Sequence, residues 1–387
     1  MFKRKLFLFV LLFIVNTVAS QSIKDVIFDT VTTDSSFIIE DTDSITDDTI
    51  LTDSEIAFQD SIDILNKENT MLSDSRKEYN YALVLFNDGK FKEAIPIFTN
   101  AIMIDSSFSE AYFYRGKCYE SFNTSLSILD YQIAFNLDSS NLDPLYSIAK
   151  MQSAFDINNA IDTYHLIISY NNQQSKANYE IGVLFYLIND IQEAIKFFTY
   201  SIEIKKDART FNDRASCYRI LGDNDLAIVD YIAAIELDPE LSFIYNNLAS
   251  AYRKEGDSKK ALSYYSLAIS KDASYALAYN NRGSLYIDID NIEAALSDIE
   301  KAISINKDYS LAYNNKGVIF HIKEQYDDAL IFFDKAIALD SEYGKAYLNR
   351  GITRQIIRDE QGACNDWIKA RELGINIANK YLANDCN

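Results

Sequence analysis

Histidine is nearly absent from this chain: His165 and His321 are the only two among 387 residues. A nucleophile–histidine pair or a multi-histidine metal site therefore has almost no material to draw on. The four cysteines form no Cys-x-x-Cys pair, and neither a phosphate-cradling glycine loop nor a nucleophile elbow occurs. Basic clusters are missing as well. Lys205-Lys206 and Lys259-Lys260 are isolated pairs in a chain of net charge −20, and nucleic-acid binding needs clustered Lys or Arg against phosphate. Acids are abundant, but a surface this acidic offers carboxylate pairs by chance. No enzymatic activity, metal or cofactor is expected.

What fills the chain is a register. A small residue recurs at Ala82, Gly116, Ala149, Gly182, Ala215, Ala249, Gly283, Gly317 and Gly351, at spacings of 33 or 34 residues. Eleven or twelve residues after each comes Ala94, Ser127, Ala160, Ala194, Ala227, Ala261, Ala295, Ala329 or Ala363. Four residues later stands Phe98, Tyr131, Tyr164, Phe198, Tyr231, Tyr265, Ile299, Phe333 or Trp367. Apolar positions recur at three- and four-residue intervals on both sides of a polar break, as two amphipathic helices require. The break is visible as Asn87-Asp88-Gly89, Leu221-Gly222-Asp223 and Glu255-Gly256-Asp257. Tiny side chains in the first two columns let paired helices approach to about 8 to 10 Å, and the aromatic fills the space beside them. Leucine in the first column should force them apart.

A 34-residue helix–turn–helix with these offsets resembles the tetratricopeptide repeat, most literally in Tyr279–Asp290 followed by Ala295 and in Tyr313–Phe320 followed by Ala329. The resemblance covers residues 75–377 and implies an all-α, right-handed superhelical solenoid of about nine repeats, whose first helices line a concave groove. One unit cannot bury its apolar face alone, so neighbours must stack into a continuous core. Departures are Ser127 and Ile299 in their columns, the family proline surviving only at Pro239, and shortening of the second to fourth units by one residue.

The ends differ from the repeats. Lys3, Arg4 and Lys5 precede an apolar run from Leu6 to Val15, followed by Val18-Ala19-Ser20. This pattern predicts a secretory signal peptide over residues 1–20, cleaved before Gln21. The run falls short of the roughly 20 residues that span a bilayer, so no transmembrane helix is expected after cleavage. Residues 21–74 carry fourteen acids against Lys24 and Lys67, more than half of the chain's net charge. Such a Ser/Thr/Asp-rich stretch reads as a largely disordered acidic linker, with a helix conceivable over 54–68. An acidic arm of this kind also suits a basic partner or divalent cations.

Beyond Ala363-Cys364-Asn365-Asp366-Trp367, with Leu373-Gly374 and Cys386, the chain resembles the closing cap of exported tetratricopeptide proteins of Bacteroidetes-like bacteria. If Gly374 ends one helix and residues 376–384 form an antiparallel helix, Cys364 and Cys386 come side by side, and a Cys364–Cys386 disulfide is expected. The cap is assigned to residues 378–387. Cys118 and Cys217 sit at one repeat position three units apart, too distant to bridge, and read as small apolar residues.

For function, the groove carries the best signal. Asn247, Asn281, Asn315 and Asn349 occupy one position at 34-residue intervals, with Asp213 one repeat earlier. A second ladder runs Asn212, Asn246, Asn280 and Asn314, ending at Leu348. Carboxamides both donate and accept, so such columns suit the main chain of an extended peptide. A comparable asparagine ladder lines the superhelix of the O-linked N-acetylglucosamine transferases, which the Tyr-x-Asn-x-Gly segments resemble. Their catalytic domain has no counterpart here. Family analogy turns the second ladder more squarely toward the groove, while the alternative for both is inter-helix hydrogen bonding. Arg219 and Arg253 could hold an acidic terminus. Leu311, Val318, Ile322, Leu348, Ile352 and Ile356 would favour a hydrophobic segment toward the C-terminus.

The sequence thus points to a non-enzymatic, exported scaffold, periplasmic or at the cell surface or secreted, that binds a protein or peptide segment. Two alternatives stand beside it. One is an adaptor for a glycan or cell-wall polymer, using Tyr179, Tyr186 and Asn212. The other is a structural spacer in the envelope.

Overall fold

The computed structural model of the protein describes residues 53–386, so the expected signal segment 1–20 and most of the acidic arm lie outside the described residues. Packing divides the chain into Met1–Asn66 and Lys67–Asn387. Among the described residues every regular element is a helix. The first eight are α1 (Asp53–Asn87), α2 (Phe91–Ile104), α3 (Ser109–Tyr119), α4 (Thr124–Leu137), α5 (Asp143–Gln152), α6 (Ile157–Tyr170), α7 (Ser175–Leu187) and α8 (Ile191–Ile204). They are followed by α9 (Ala208–Leu221), α10 (Asn224–Leu237), α11 (Ser242–Lys254), α12 (Ser258–Lys271), α13 (Ala276–Asp288) and α14 (Ile292–Ile305). The chain ends in α15 (Ser310–Ile322), α16 (Tyr326–Leu339), α17 (Gly344–Ile356), α18 (Glu360–Glu372) and α19 (Ala378–Asp385).

The helix expected over 54–68 is part of the 35-residue α1, which shows no break at residue 74. Repeat packing nevertheless begins there. Ser75 is buried, its hydroxyl donating to the Ala101 carbonyl at 3.0 Å, and Tyr79 and Ala82 follow in the core.

From Lys67 onward each helix packs on the next, and odd helices form the first member of each pair. First helices also touch across repeats: α9 with α11, α11 with α13, α13 with α15 and α15 with α17. Elements that approach more closely lie on the inside of a curve, so the first helices line the concave face of a helical solenoid.

The column residues explain the pairing. Every small residue of the second column is buried, and the aromatic column fills the interior from Phe98 to Trp367. Contact with the first column is tight. A β-carbon on Gly182 would lie 2.7 Å from the Phe198 ring, and one on Gly317 would lie 2.6 Å from Phe333. The departures are accommodated: Ser127 donates its hydroxyl to the Gly116 carbonyl at 2.8 Å, and Ile299 takes the ring's place against Gly283. Buried tyrosines find polar partners, Tyr231 on Ser216 and Tyr265 on Ser250, both at 3.0 Å.

A second device locks successive pairs. Arg115, Arg214, Arg282 and Arg350, each just before a first-column residue, bind Asp130, Asp230, Asp298 and Asp366 with two parallel bonds of 2.5–2.9 Å. Each arginine also reaches the second helix of the preceding pair, at Thr99, Thr199, Ser266 or Asp334. Bidentate pairing satisfies both planar groups where burial would otherwise penalise them.

Candidate binding groove

On the concave face the two asparagine ladders are hydrogen-bonded to each other. Asn247 donates to Asn212, Asn281 to Asn246, Asn315 to Asn280 and Asn349 to Asn314, each at 2.9–3.0 Å and each across a repeat boundary. Asn212, Asn246, Asn280 and Asn314 are only 2–5 % exposed. Family analogy turns this second ladder toward a ligand, but burial turns it away. Its oxygens are taken up by the neighbouring repeat. The amides left half-exposed are those of the first ladder, Asn247, Asn281, Asn315 and Asn349.

The bonds share a direction. Within repeats, Asn314 donates to Asn315 and Asn246 to Asn247, both at 3.4 Å, and Asn212 donates to Asp213 at 2.9 Å. All of them run toward Asp213. A carboxylate only accepts, so it turns the Asn212 Nδ2 toward itself and leaves Oδ1 for Asn247. The orientation passes from Asn212 through Asn247 and Asn246 to Asn281.

One repeat earlier the buried-ladder position is held by Tyr179, whose hydroxyl donates to Asp213 Oδ2 at 2.9 Å. Burial pushes the Asp213 carboxyl above its ordinary range, while the bonds from Tyr179 and Asn212 and the charge of Arg209 act against that shift. Burial likewise pushes the Tyr179 phenol up.

A cavity of about 400 Å³ opens beside this carboxylate between α7, α9 and α11. Tyr179, Val183, Tyr186, Leu187, Asp213 and Asn247 line it. The trio Tyr179, Tyr186 and Asn212 noted in the sequence therefore does converge. Spacing alone could have paired Tyr179 with Asp213, because they are equivalent neighbours in the repeat register.

The other candidate residues separate. Arg253 is engaged by Asp288 at 2.5 Å and by Ser284, on α13 of the next repeat, which removes it from a two-arginine clamp. Arg219 is half-buried on α9. Leu311, Ile322 and Ile356 are exposed, whereas Val318 and Ile352 line a small cavity of about 100 Å³ with His321, Phe333 and Asn349. Burial lowers the His321 pKa, and its Nδ1 faces the Thr353 hydroxyl at 2.8 Å. His165 packs edge-on against Phe197.

At the C-terminal end, α18 and α19 place the sulfurs of Cys364 and Cys386 1.96 Å apart, with Cα atoms 5.7 Å apart. Trp367 stacks on Tyr381 beside them. Cys118 and Cys217 are buried thiols whose pKa burial raises to about 12, so they stay protonated and inert. Among the described residues no group of three or more His, Cys, Asp or Glu could hold a metal ion, and no helix is long and apolar enough to cross a membrane.

Models of the tetratricopeptide repeat match residues 216–256, 244–275, 276–309 and 310–343. No curated protein matches the sequence. Among solved structures, the Cut9–Hcn1 hetero-tetramer of the APC/C superposes with a TM-score of 0.54 at 15 % identity, over 81 % of this chain and 76 % of that one. YrrB, described as a TPR protein with an unusual peptide-binding site, gives 0.41 at 22 % identity over 48 % of this chain and 97 % of its own. PilF of Pseudomonas aeruginosa gives 0.47 at 15 % identity over 55 % and 98 %. Residues 216–343 thus belong to the tetratricopeptide repeat family, and the same helix pairing continues through the rest of the solenoid.

Proposed function

We propose that this protein is an exported, non-enzymatic scaffold that binds an extended segment of a partner protein along the face lined by its first helices. Repeat solenoids of this family generally serve protein interaction, and their curvature creates an extended concave surface for it. The observation that carries the reading here is the cavity beside Asp213. It sits on that face, is apolar along Val183 and Leu187, and has half-exposed amides continuing away from it at Asn247, Asn281, Asn315 and Asn349. Such a surface offers side-chain anchorage at one point and main-chain hydrogen bonding at repeat intervals.

Export rests on the Lys3-Arg4-Lys5 and Leu6–Val15 pattern, and on the paired Cys364 and Cys386, since disulfides persist in oxidising compartments. Mature protein beginning at Gln21, with two free thiols on alkylation without reductant, is the expected result of intact-mass analysis. A chain beginning at Met1 would remove the export reading.

A photo-crosslinking residue at Tyr186, which is 40 % exposed in the cavity, should capture a defined protein partner in the native envelope. The same probe at Val229, 63 % exposed on α10, should not. Equal capture from both positions would place binding elsewhere than the groove. The glycan alternative keeps the exposed Tyr186 ring as a stacking surface, but its third member, Asn212, has both ends of its amide engaged by Asp213 and Asn247.

A further inference from the structure

We propose that the cavity beside Asp213 is a subsite for the side chain of a lysine or arginine in the bound segment. The proposal rests on the groove reading above and adds the chemistry of one position. Four observations carry it.

First, Asp213 stands where the following repeats carry a neutral asparagine: Asn247, Asn281, Asn315 and Asn349. An amide there would still accept from Asn212, as Asn247 and Asn315 accept from Asn246 and Asn314, so orienting the ladder does not by itself require an acid. Second, the carboxylate is largely enclosed, and among the described residues no basic side chain forms an ion pair with it. Its two partners, Tyr179 and Asn212, are neutral donors. An ionised carboxylate has about four acceptor positions, so two remain for a ligand.

Third, the polar groups around the cavity direct donors at one another, although each carboxamide nitrogen keeps a second N–H. Tyr179 and Asn212 donate to Asp213, Asn247 donates to Asn212, and Ser216 donates to the Asn212 carbonyl at 3.0 Å. The charge that faces a ligand is that of the Asp213 carboxylate, whose remaining acceptor positions suit a donor. A sugar hydroxyl or a peptide group brings an acceptor that would need a donor in return. An ammonium or guanidinium group brings donors only.

Fourth, the walls fit the rest of such a side chain. Val183 and Leu187 offer aliphatic surface to a methylene stem, and Tyr179 and Tyr186 present rings that attract a cation. The volume of about 400 Å³ admits one long side chain with its flanking backbone. The chain's net charge of −20 would favour encounter with a basic segment.

The test uses the full chain with its thiol pairing intact, probed with an array of acetylated, amidated nine-residue peptides that are random except for one fixed central residue. Lysine and arginine at the fixed position should be enriched among retained peptides. Asp213→Asn, which restores the ladder's own residue and should fold, is expected to abolish that enrichment and weaken the best lysine peptide at least about tenfold. Tyr186→Ser should weaken it as well, and Tyr186→Phe should not. If peptides are retained without a cationic preference, or Asp213→Asn retains the same peptides equally well, the cationic subsite is wrong while groove binding stands. Failure of the wild-type chain to retain any peptide would overturn the subsite and the groove reading together.

Discussion

At the residue scale, Asp213 costs the fold something. Burial holds its pKa above the ordinary carboxylate value, so the folded state binds its proton more tightly than the unfolded state does. Stability contributed by this group therefore falls as pH rises from the ordinary carboxylate range through the folded pKa, and stays reduced above it. Asp213→Asn is expected to unfold at higher urea than wild type at neutral pH, with the gap closing toward about pH 4. An unchanged midpoint at neutral pH would show that Tyr179 and Asn212 offset the burial cost. A variant that gains stability while losing lysine-peptide binding is what a functional acid predicts. The first-column glycines are a purely structural contrast. Gly317 faces Phe333 with no room for a β-carbon, so Gly317→Leu should lower unfolding free energy by about 1–3 kcal/mol. Adding Phe333→Ala to it should recover part of that loss, and additive losses in the double mutant would argue against this contact. The size columns were legible in the sequence because small and aromatic residues in strict register have few other physical uses. The arginine–aspartate locks recur in only four of the nine units, and without the fold a charged pair 15 or 16 residues apart has no visible partner.

At the element scale, the turn between paired helices needs a left-handed residue. Gly89, Gly222 and Gly256 supply it with φ of +74° to +92°, while Asn189, Asp290, Glu324 and Arg358 occupy the same position at +59° to +65°. Side chains beyond glycine pay a steric cost there, least for asparagine and aspartate. Glu324→Gly should therefore raise stability by about 1 kcal/mol in chemical denaturation. A neutral or negative change would show that Glu324 makes a compensating interaction in solution. Second-helix starts are capped in the same recurrent way, by Asn123, Asp156, Asp190, Asp257, Asn291 and Asp359, each accepting a main-chain N–H three residues on. The glycine turns at Gly89, Gly222 and Gly256 were legible in the sequence, whereas the caps and the non-glycine turns emerged with the structure. Helix α1 runs through the expected end of the acidic arm because no glycine or proline between residues 53 and 87 interrupts it.

At the scale of the whole molecule, a repeat solenoid is stabilised by nearest-neighbour interfaces, so damage at one end stays local. Cys364→Ser should cost about 3 kcal/mol at the C-terminal end. Hydrogen-exchange protection should fall in α17, α18 and α19 and stay unchanged in α9–α12. Uniform loss along the chain would mean that the solenoid unfolds as one cooperative unit. The sequence by itself determined the helix pairs, their register and the buried columns, because each follows from local periodicity and the size of a side chain. Only the tertiary structure decided which ladder faces the groove. Adjacent helical positions such as Asn246 and Asn247 differ by about 100° around the axis, and although both bond to a neighbouring repeat, the curvature of the stack, not their spacing, sets which one is buried and which one stays partly exposed.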